Sequence, residues 1–259
     1  MTDKQVSSAL ITGGGSGIGA TLAIELAQRG CQVLISGRRA SALAAVADTS
    51  DRIATCVGDV TDATHRAALT DEFAKLPEPR ALVHTAGSFQ TGLLDALPIR
   101  EWRRSFETNV EARWTLSCTC APFLDDGRIL FLGSDAGVHP RAGAAAYSIA
   151  QSASDTLRRA LQVEWANSSR AVASFKPGLV DTDMVRGFME LSSEDFPARQ
   201  DYEDYLAKGQ IAAPFSVAAF ASWLLLDVPT GRFVDTEWDI RDVAHHHEWA
   251  TSPLYPDAN

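Results

Sequence analysis

The chain is poor in the features that mark several protein classes. It has four cysteines, Cys31, Cys56, Cys118 and Cys120, and their spacing fits no zinc framework. Cys118 and Cys120, two apart on a predicted helix, point to different sides, so buried free thiols are expected rather than a disulfide or a ligand set. No segment concentrates lysine and arginine, and the 259 residues carry a formal net charge of -10. Nucleic acid and anionic membrane are poor partners for such a chain. No apolar run reaches the roughly 20 residues that cross a bilayer. The opening "MTDKQVSSALITGGG" lacks the long apolar core of a secretion signal, so a cytoplasmic location is expected. The histidines at 245–247 cannot all face one ion and are read as a solvated or interface segment, so no metal site is expected. Repeats and linkers are absent.

What is present is an alternation of short apolar runs and amphipathic stretches. Strands are predicted at 8–12, 32–36, 53–57, 81–85, 127–133, 171–175 and 232–235. Helices are predicted between them, at about 17–30, 41–47 with Ser41 as a possible N-cap, 62–76, a long stretch over 100–124, 144–167 and 216–227. Parallel strands need such crossovers, and central ones read as continuous apolar runs. The expected architecture is α/β: one domain over 1–259, a doubly wound parallel sheet with helices on both faces. Ligands in such sheets lie beyond the carboxyl ends of the strands.

Between the first strand and its helix stands "TGGGSGIG", residues 12–19. Glycines there permit a tight turn and close approach of the backbone to a ligand, and the helix N-terminus offers free N–H groups to a pyrophosphate. In this position the cluster points to a dinucleotide in a Rossmann-type site, with Gly13, Gly15, Ser16, Gly17, Ile18 and Gly19 as binding residues. The second strand ends in "ISGRRAS". The acid that would accept bonds from a free ribose hydroxyl is absent, and Arg38 and Arg39 follow instead. Two guanidiniums can clamp a 2′-phosphate, so NADP is expected rather than NAD.

With that motif on the page, the chain resembles the short-chain dehydrogenase/reductase family over nearly its whole length. "GDVTD" places Asp59 and Val60 at the adenine; "HTAG" keeps Ala86 and Gly87 of an NNAG motif. "ETNV" supplies Asn109, "LGSDAG" Ser134 and "AAYSIAQ" Tyr147. "KPGLVDT" places Pro177, Gly178, Val180 and Thr182 beside the nicotinamide, and "EWDI" resembles a carboxyl-terminal signature. The resemblance implies that Ser134 holds the substrate oxygen, that Tyr147 exchanges the proton, and that Asn109 holds a water or fixes its helix. It also implies a homodimer or homotetramer paired through the helices over 100–124 and 144–167, with Trp114 and Trp165 as contacts. A substrate-covering lid is expected over 181–213.

One departure stands out. The family's lysine, which binds the nicotinamide ribose and acidifies the tyrosine, is Gln151 here. An amide at that place is expected to bind the ribose and to make proton removal from Tyr147 harder than proton delivery, which favours reduction over oxidation. Lys176, Arg141 and His139 are candidates for a replacement cation. The expected activity is NADPH-dependent reduction of a carbonyl in a small or medium organic substrate. Reduction of an imine or iminium, with Asp135 and the acids of 181–208 facing a cation, is one alternative. A cofactor-binding protein without redox turnover, or a scaffold reused for non-redox chemistry, is another.

Overall fold

The computed structural model describes residues 5–255. Seven parallel strands form one sheet: β1 (Ser8–Thr12), β2 (Gln32–Gly37), β3 (Ile53–Val57), β4 (Arg80–His84), β5 (Arg128–Leu132), β6 (Ala171–Lys176) and β7 (Trp238–Asp239). Their order is β3-β2-β1-β4-β5-β6-β7. The order reverses between β1 and β4, where the chain crosses from one half of the sheet to the other. Every residue of β1 and of β4 is buried. Leu10 pairs with Leu34 on one side and Leu82 on the other, so the central register is apolar on both faces.

Two cores follow from the two faces. On one, α1 (Gly17–Gln28) packs with α9 (Pro214–Leu226) through Leu22, Leu26, Phe220 and Leu224. On the other, α3 (Ala63–Ala74), α5 (Ala112–Cys120) and α6 (Ala145–Glu164) bring in Leu69, Phe73, Leu116 and Leu161. A short α2 (Ala40–Ala47) follows β2, and its N-cap is Arg39 rather than Ser41. No helix among the described residues is long and apolar enough to cross a membrane, and no cluster of potential metal ligands occurs among them.

Three expectations need correction and one needs refining. The segment 232–235 is helical, within α10 (Thr230–Asp235), and the seventh strand lies just after it at Trp238–Asp239. Four residues are too few for strand and helix periods to differ; Pro229, in place to start a helix, was the better signal. The long stretch over 100–124 is helical without a break to Phe123, but not all of it is α: α4 (Ile99–Phe106) passes through a π-turn, Glu107–Glu111, before α5. The histidines at 245–247 are not simply solvated. His245 is buried, stacks on Phe220 with centroids 5.1 Å apart and accepts a bond from Trp249 Nε1 at 3.0 Å. Finally, all four cysteines are free, but Cys118 is exposed while Cys31 and Cys120 are buried.

Candidate active site

The turn after β1 makes the floor of a cleft of about 320 Å³. Gly13 has φ 73°, and a Cβ there would meet the backbone of Ala86 at 2.8 Å. A Cβ on Gly19 would lie 2.5 Å from the carbonyl oxygen of Gly13. Only glycine lets the start of α1 come this close to the ends of β1 and β4. Ser16 caps α1 without a side-chain bond, so the helix's first N–H groups remain for a ligand. Gly13, Gly15, Ser16, Gly17, Ile18, Gly19, Arg38, Arg39, Asp59, Val60, Ala86, Gly87 and Thr182 all line this cleft. Thr85, Ser88, Thr108 and Met184 line it too and were not foreseen.

At the far end, Arg38 lies 3.7 Å from the carboxylate of Asp59, both side chains being largely exposed. Burial pushes the Asp59 carboxyl up, but bonds from Thr61 and the charges of Arg38 and Arg104 outweigh it and hold it below its ordinary value. These residues fit a dinucleotide: a glycine cradle that a Cβ would fill, a helix N-terminus, and basic side chains where β2 ends.

Next to the cleft opens a second cavity of about 400 Å³, and Ile18, Leu132, Thr182 and Met184 line both. Ser134, Tyr147, Pro177, Gly178 and Val180 line this one. Ser134, in extended backbone, starts a single turn and accepts a bond from Ala136 N–H at 3.2 Å. Tyr147, on the first turn of α6, lines the same cavity as Ser134. Burial pushes the phenol above its ordinary value, while Ser134 and the guanidinium of Arg113 pull the other way. Aromatic rings line the same cavity: Phe89, Phe188 and Tyr202. Phe188 and Tyr202 come from α7 (Asp183–Met189) and α8 (Arg199–Ala207), within the segment 181–213. Burial raises the Tyr202 phenol to about 12.

Asn109 lies in the π-turn, is fully buried and lines neither cavity. Its Oδ1 accepts from Ser88 N–H at 3.1 Å and its Nδ2 donates to Ser88 O at 2.8 Å. Of the two roles implied by the resemblance, these bonds serve the second: they tie the helix to the loop after β4.

Gln151 departs from expectation. It lines neither the cleft nor the aromatic cavity but a third space of about 190 Å³ behind Ser134, together with Arg113, Arg158 and Lys176. Of the candidate cations, only Arg141 lines the aromatic cavity with Tyr147, and it is committed to an ion pair. Lys176 lines the rear cavity, and its charge acts on Asp239; Arg141 pairs with Asp201 at 2.8 Å; His139 is exposed. The guanidinium that acts on Tyr147 belongs to Arg113, which sequence reading missed. Its one signal was position, four residues after Asn109 in "NVEAR" and so on the same side of a helix.

Several of the carboxylates read as facing a cationic substrate are engaged in ion pairs. Asp135 pairs with Arg241 at 2.6 Å, Asp181 with Arg186 at 2.8 Å and Glu203 with Arg199 at 2.7 Å.

A parallel sheet with a glycine-rich turn and a Ser–Tyr pair at its carboxyl edge defines a nicotinamide-dependent oxidoreductase of the Rossmann type. The chain belongs to the short chain dehydrogenase family, whose model matches residues 7–191. It is 30% identical over 194 residues to the 3-oxoacyl-[acyl-carrier-protein] reductase FabG of Pseudomonas aeruginosa, covering 72% of this chain and 78% of that one. It is 29% identical over 246 residues to the 4-formylbenzenesulfonate dehydrogenase TsaC1/TsaC2 of Comamonas testosteroni, covering 87% and 92%. Among solved structures, a putative NAD(P) dependent gluconate 5-dehydrogenase from Beutenbergia cavernae with bound NADP superposes with TM-score 0.77 at 25% identity, covering 90% and 94%. The short chain dehydrogenase YIR035C of Saccharomyces cerevisiae shares the fold, with TM-score 0.85 at 20% identity over 94% and 99%.

Proposed function

We propose that this protein is an NADPH-dependent reductase of carbonyl groups in small or medium apolar substrates, aromatic ones included. The observation that carries the reading is the continuity of two spaces. A cleft with Arg38 and Arg39 at one end opens, across Ile18 and Leu132, into an aromatic cavity floored by Ser134 and Tyr147. Both relatives are named for carbonyl chemistry, one as a 3-oxoacyl reductase and the other as a formylbenzenesulfonate dehydrogenase.

The reduced nicotinamide, when bound, supplies a hydride. The residues of this chain supply the rest. As the carbonyl carbon gains hydride, its oxygen gains negative charge, and the Ser134 hydroxyl donates a hydrogen bond to it. Tyr147 gives that oxygen its proton, which turns it into the alcohol. Asn109 holds the loop at Ser88, which borders the cofactor cleft, against the helix. The segment 181–213 brings Phe188 and Tyr202 over the cavity as a lid that keeps water from the reacting atoms. Pairing into a homodimer or homotetramer through the helices over 100–124 and 144–167, where Trp114 is exposed, belongs to the same reading, although Trp165 packs against the core and under the Arg170 guanidinium; so does a cytoplasmic location.

The carbonyl is preferred over an iminium because Asp135 is ion-paired with Arg241 and because the buried charge near Tyr147 is positive. The test is consumption of NADPH by the purified protein against aryl and alkyl ketones and aldehydes, with the matching cyclic imines beside them. Turnover of carbonyls with NADPH ahead of NADH is expected. Binding of NADPH with no consumption across the panel would replace this reading with the non-redox one, and turnover of imines alone would replace it with iminium reduction.

A further inference from the structure

The reading above, on which this inference rests, does not say how the aromatic cavity sorts carbonyl compounds by charge. Two arginines, Arg141 and Arg241, stand in its wall. We infer that carboxylates of the chain itself close both of them, so that the cavity takes uncharged aryl carbonyl compounds and rejects those that carry a carboxylate, with Arg241 and its two acids as the residues that decide.

Arg241 follows β7 and reaches over the turn after β6. A Cβ on Gly178, which has φ 65°, would stand 3.6 Å from Arg241 Cδ. The guanidinium is held from two sides. Nη1 lies 2.6 Å from Asp135 Oδ2, and Nη2 donates to Asp135 Oδ1 at 3.0 Å. Nε donates to Asp239 Oδ1 at 2.8 Å, and Nη2 to Asp239 Oδ2 at 2.5 Å. Asp239 ends β7, and Asp135 is the residue after Ser134 beyond β5. The clamp thus ties two strand ends together beside the Ser134 turn.

Forked pairs of arginine with carboxylate are the strong ones. Arg38 gives the contrast: its contact with Asp59 is 3.7 Å long and lies in solvent. That arginine can trade its partner for an anion, whereas Arg241 would have to leave two. Arg141, from the loop before α6, is engaged in its own way. It donates to Asp201 Oδ2 at 2.8 Å, and its Cζ stands 5.4 Å from the centre of the Tyr202 ring.

Among the described residues no further lysine or arginine lines this cavity. Lys176 lines the rear one. A substrate carboxylate would therefore meet Asp135 and aromatic rings in place of an open cation. It would give up water and gain no partner for its charge. Selection of this kind works by repulsion as much as by fit. The clamp serves a cation no better, because all four of its carboxylate oxygens are taken up by Arg241.

The test is calorimetric titration of the whole chain with two probes of one shape, 4-acetylbenzamide and 4-acetylbenzoate, with and without oxidised NADP. Neither ketone is reduced under these conditions, so the result does not depend on turnover. The parent is expected to bind the amide at least about fivefold more tightly than the acid. Asp135→Asn keeps the side chain's shape, removes its charge and leaves Nη1 without its ion pair. It is expected to move the ratio toward the acid by about tenfold, the worth of a hydrogen bond to a charged group. Arg241→Gln leaves both acids without their cation and is expected to move the ratio the other way. A clamp that only holds the wall in shape would weaken both probes alike in each variant, and that result overturns the inference. A parent that binds the acid as well as the amide, or binds neither probe, overturns it too. Failure of the functional reading looks different: the amide binds as expected, and NADPH is not consumed with it.

Discussion

The ring of Phe89 leans on that of Tyr147, with centroids 4.8 Å apart and planes at 51°. Phe188 lies 4.9 Å from Phe89 on the other side, and Tyr202 4.7 Å from Phe188. Tyr147 is thus the end of an aromatic row that continues into the segment 181–213. A flat substrate held over Tyr147 would extend that row. Aromatic pairs contribute about 0.5–1.5 kcal/mol beyond the area they bury. Phe89→Ala is therefore expected to lower kcat/KM for an aryl ketone by roughly three- to tenfold, chiefly through KM, and to leave a small alkyl ketone nearly unchanged. Steady-state kinetics with a matched pair of substrates checks this. Equal losses for both would mean that Phe89 positions Tyr147 and does not touch substrate.

The Arg38–Asp59 contact bears on the choice of cofactor. At 3.7 Å and in solvent it is weak, so Arg38 is free to exchange Asp59 for a phosphate. A hydrogen bond to a charged group is worth about 1.5–3 kcal/mol, or roughly 10- to 150-fold in affinity. Arg38→Ala should weaken NADPH by about that factor and NADH by far less. Fluorescence titration of both cofactors measures it, and parallel losses would remove Arg38 from the 2′-phosphate.

Tyr147 and Ser134 are expected to separate chemistry from binding. Tyr147→Phe should lower kcat by about 10²–10⁴-fold and Ser134→Ala by about 10²–10³-fold, with cofactor affinity within about a factor of three of the parent. The pH dependence follows from the direction of the Tyr147 shift. Burial keeps the phenol above its ordinary value despite Arg113, so it is protonated throughout the neutral range. Reduction, which needs the phenol, should be level there and fall only in strong base. Oxidation, which needs the phenolate, should rise about tenfold per pH unit over the same range. A reduction rate that declines already at neutral pH would place another group in the proton's path.

Much of this was legible in the chain because its signals are local. Apolar runs that stop at glycine mark the parallel strands, and a glycine turn between a strand and an amphipathic helix marks the nucleotide cleft whatever happens elsewhere. Asp62, before "ATHR", caps α3 with bonds to the N–H groups of Thr64 and His65, as its residue type predicts. What stayed hidden depends on contacts between distant segments. Arg113 looks like one more helical arginine until α5 is laid against α6 and its guanidinium meets Ser154 and the strand-end carbonyls. Phe89 follows a recognisable motif, yet its partners Phe188 and Phe196 stand about a hundred residues away in a segment read as an acidic lid. His245 could not be told from its two neighbours until α9 placed Phe220 and Trp223 beside it.

His84 makes a prediction about stability that needs no cofactor. It is buried in β4, bonded to Ser117 Oγ at 3.0 Å and packed on Phe131 with centroids 4.7 Å apart. Burial first, and the Arg113 charge second, hold its folded pKa well below the ordinary value. Below about pH 6.5 the unfolded chain takes up a proton that the folded chain refuses. His84 therefore contributes stability that is intact above about pH 6.5 and is lost as pH falls toward the depressed folded pKa, by about 1.4 kcal/mol per unit. His84→Asn shortens the side chain at the first position of the "HTAG" motif and removes the titration. The variant should be less stable than the parent at about pH 7.5, because the packing on Phe131 is lost. Between about pH 7.5 and about pH 5.5 it should lose about 1 kcal/mol less than the parent does, with His65 and His245, both also held low by burial, supplying the remaining slope in each. Urea unfolding of both proteins at the two pH values reads the difference. Equal losses would mean that His84 is protonated in the folded protein, which a guanidinium in the same buried space does not allow.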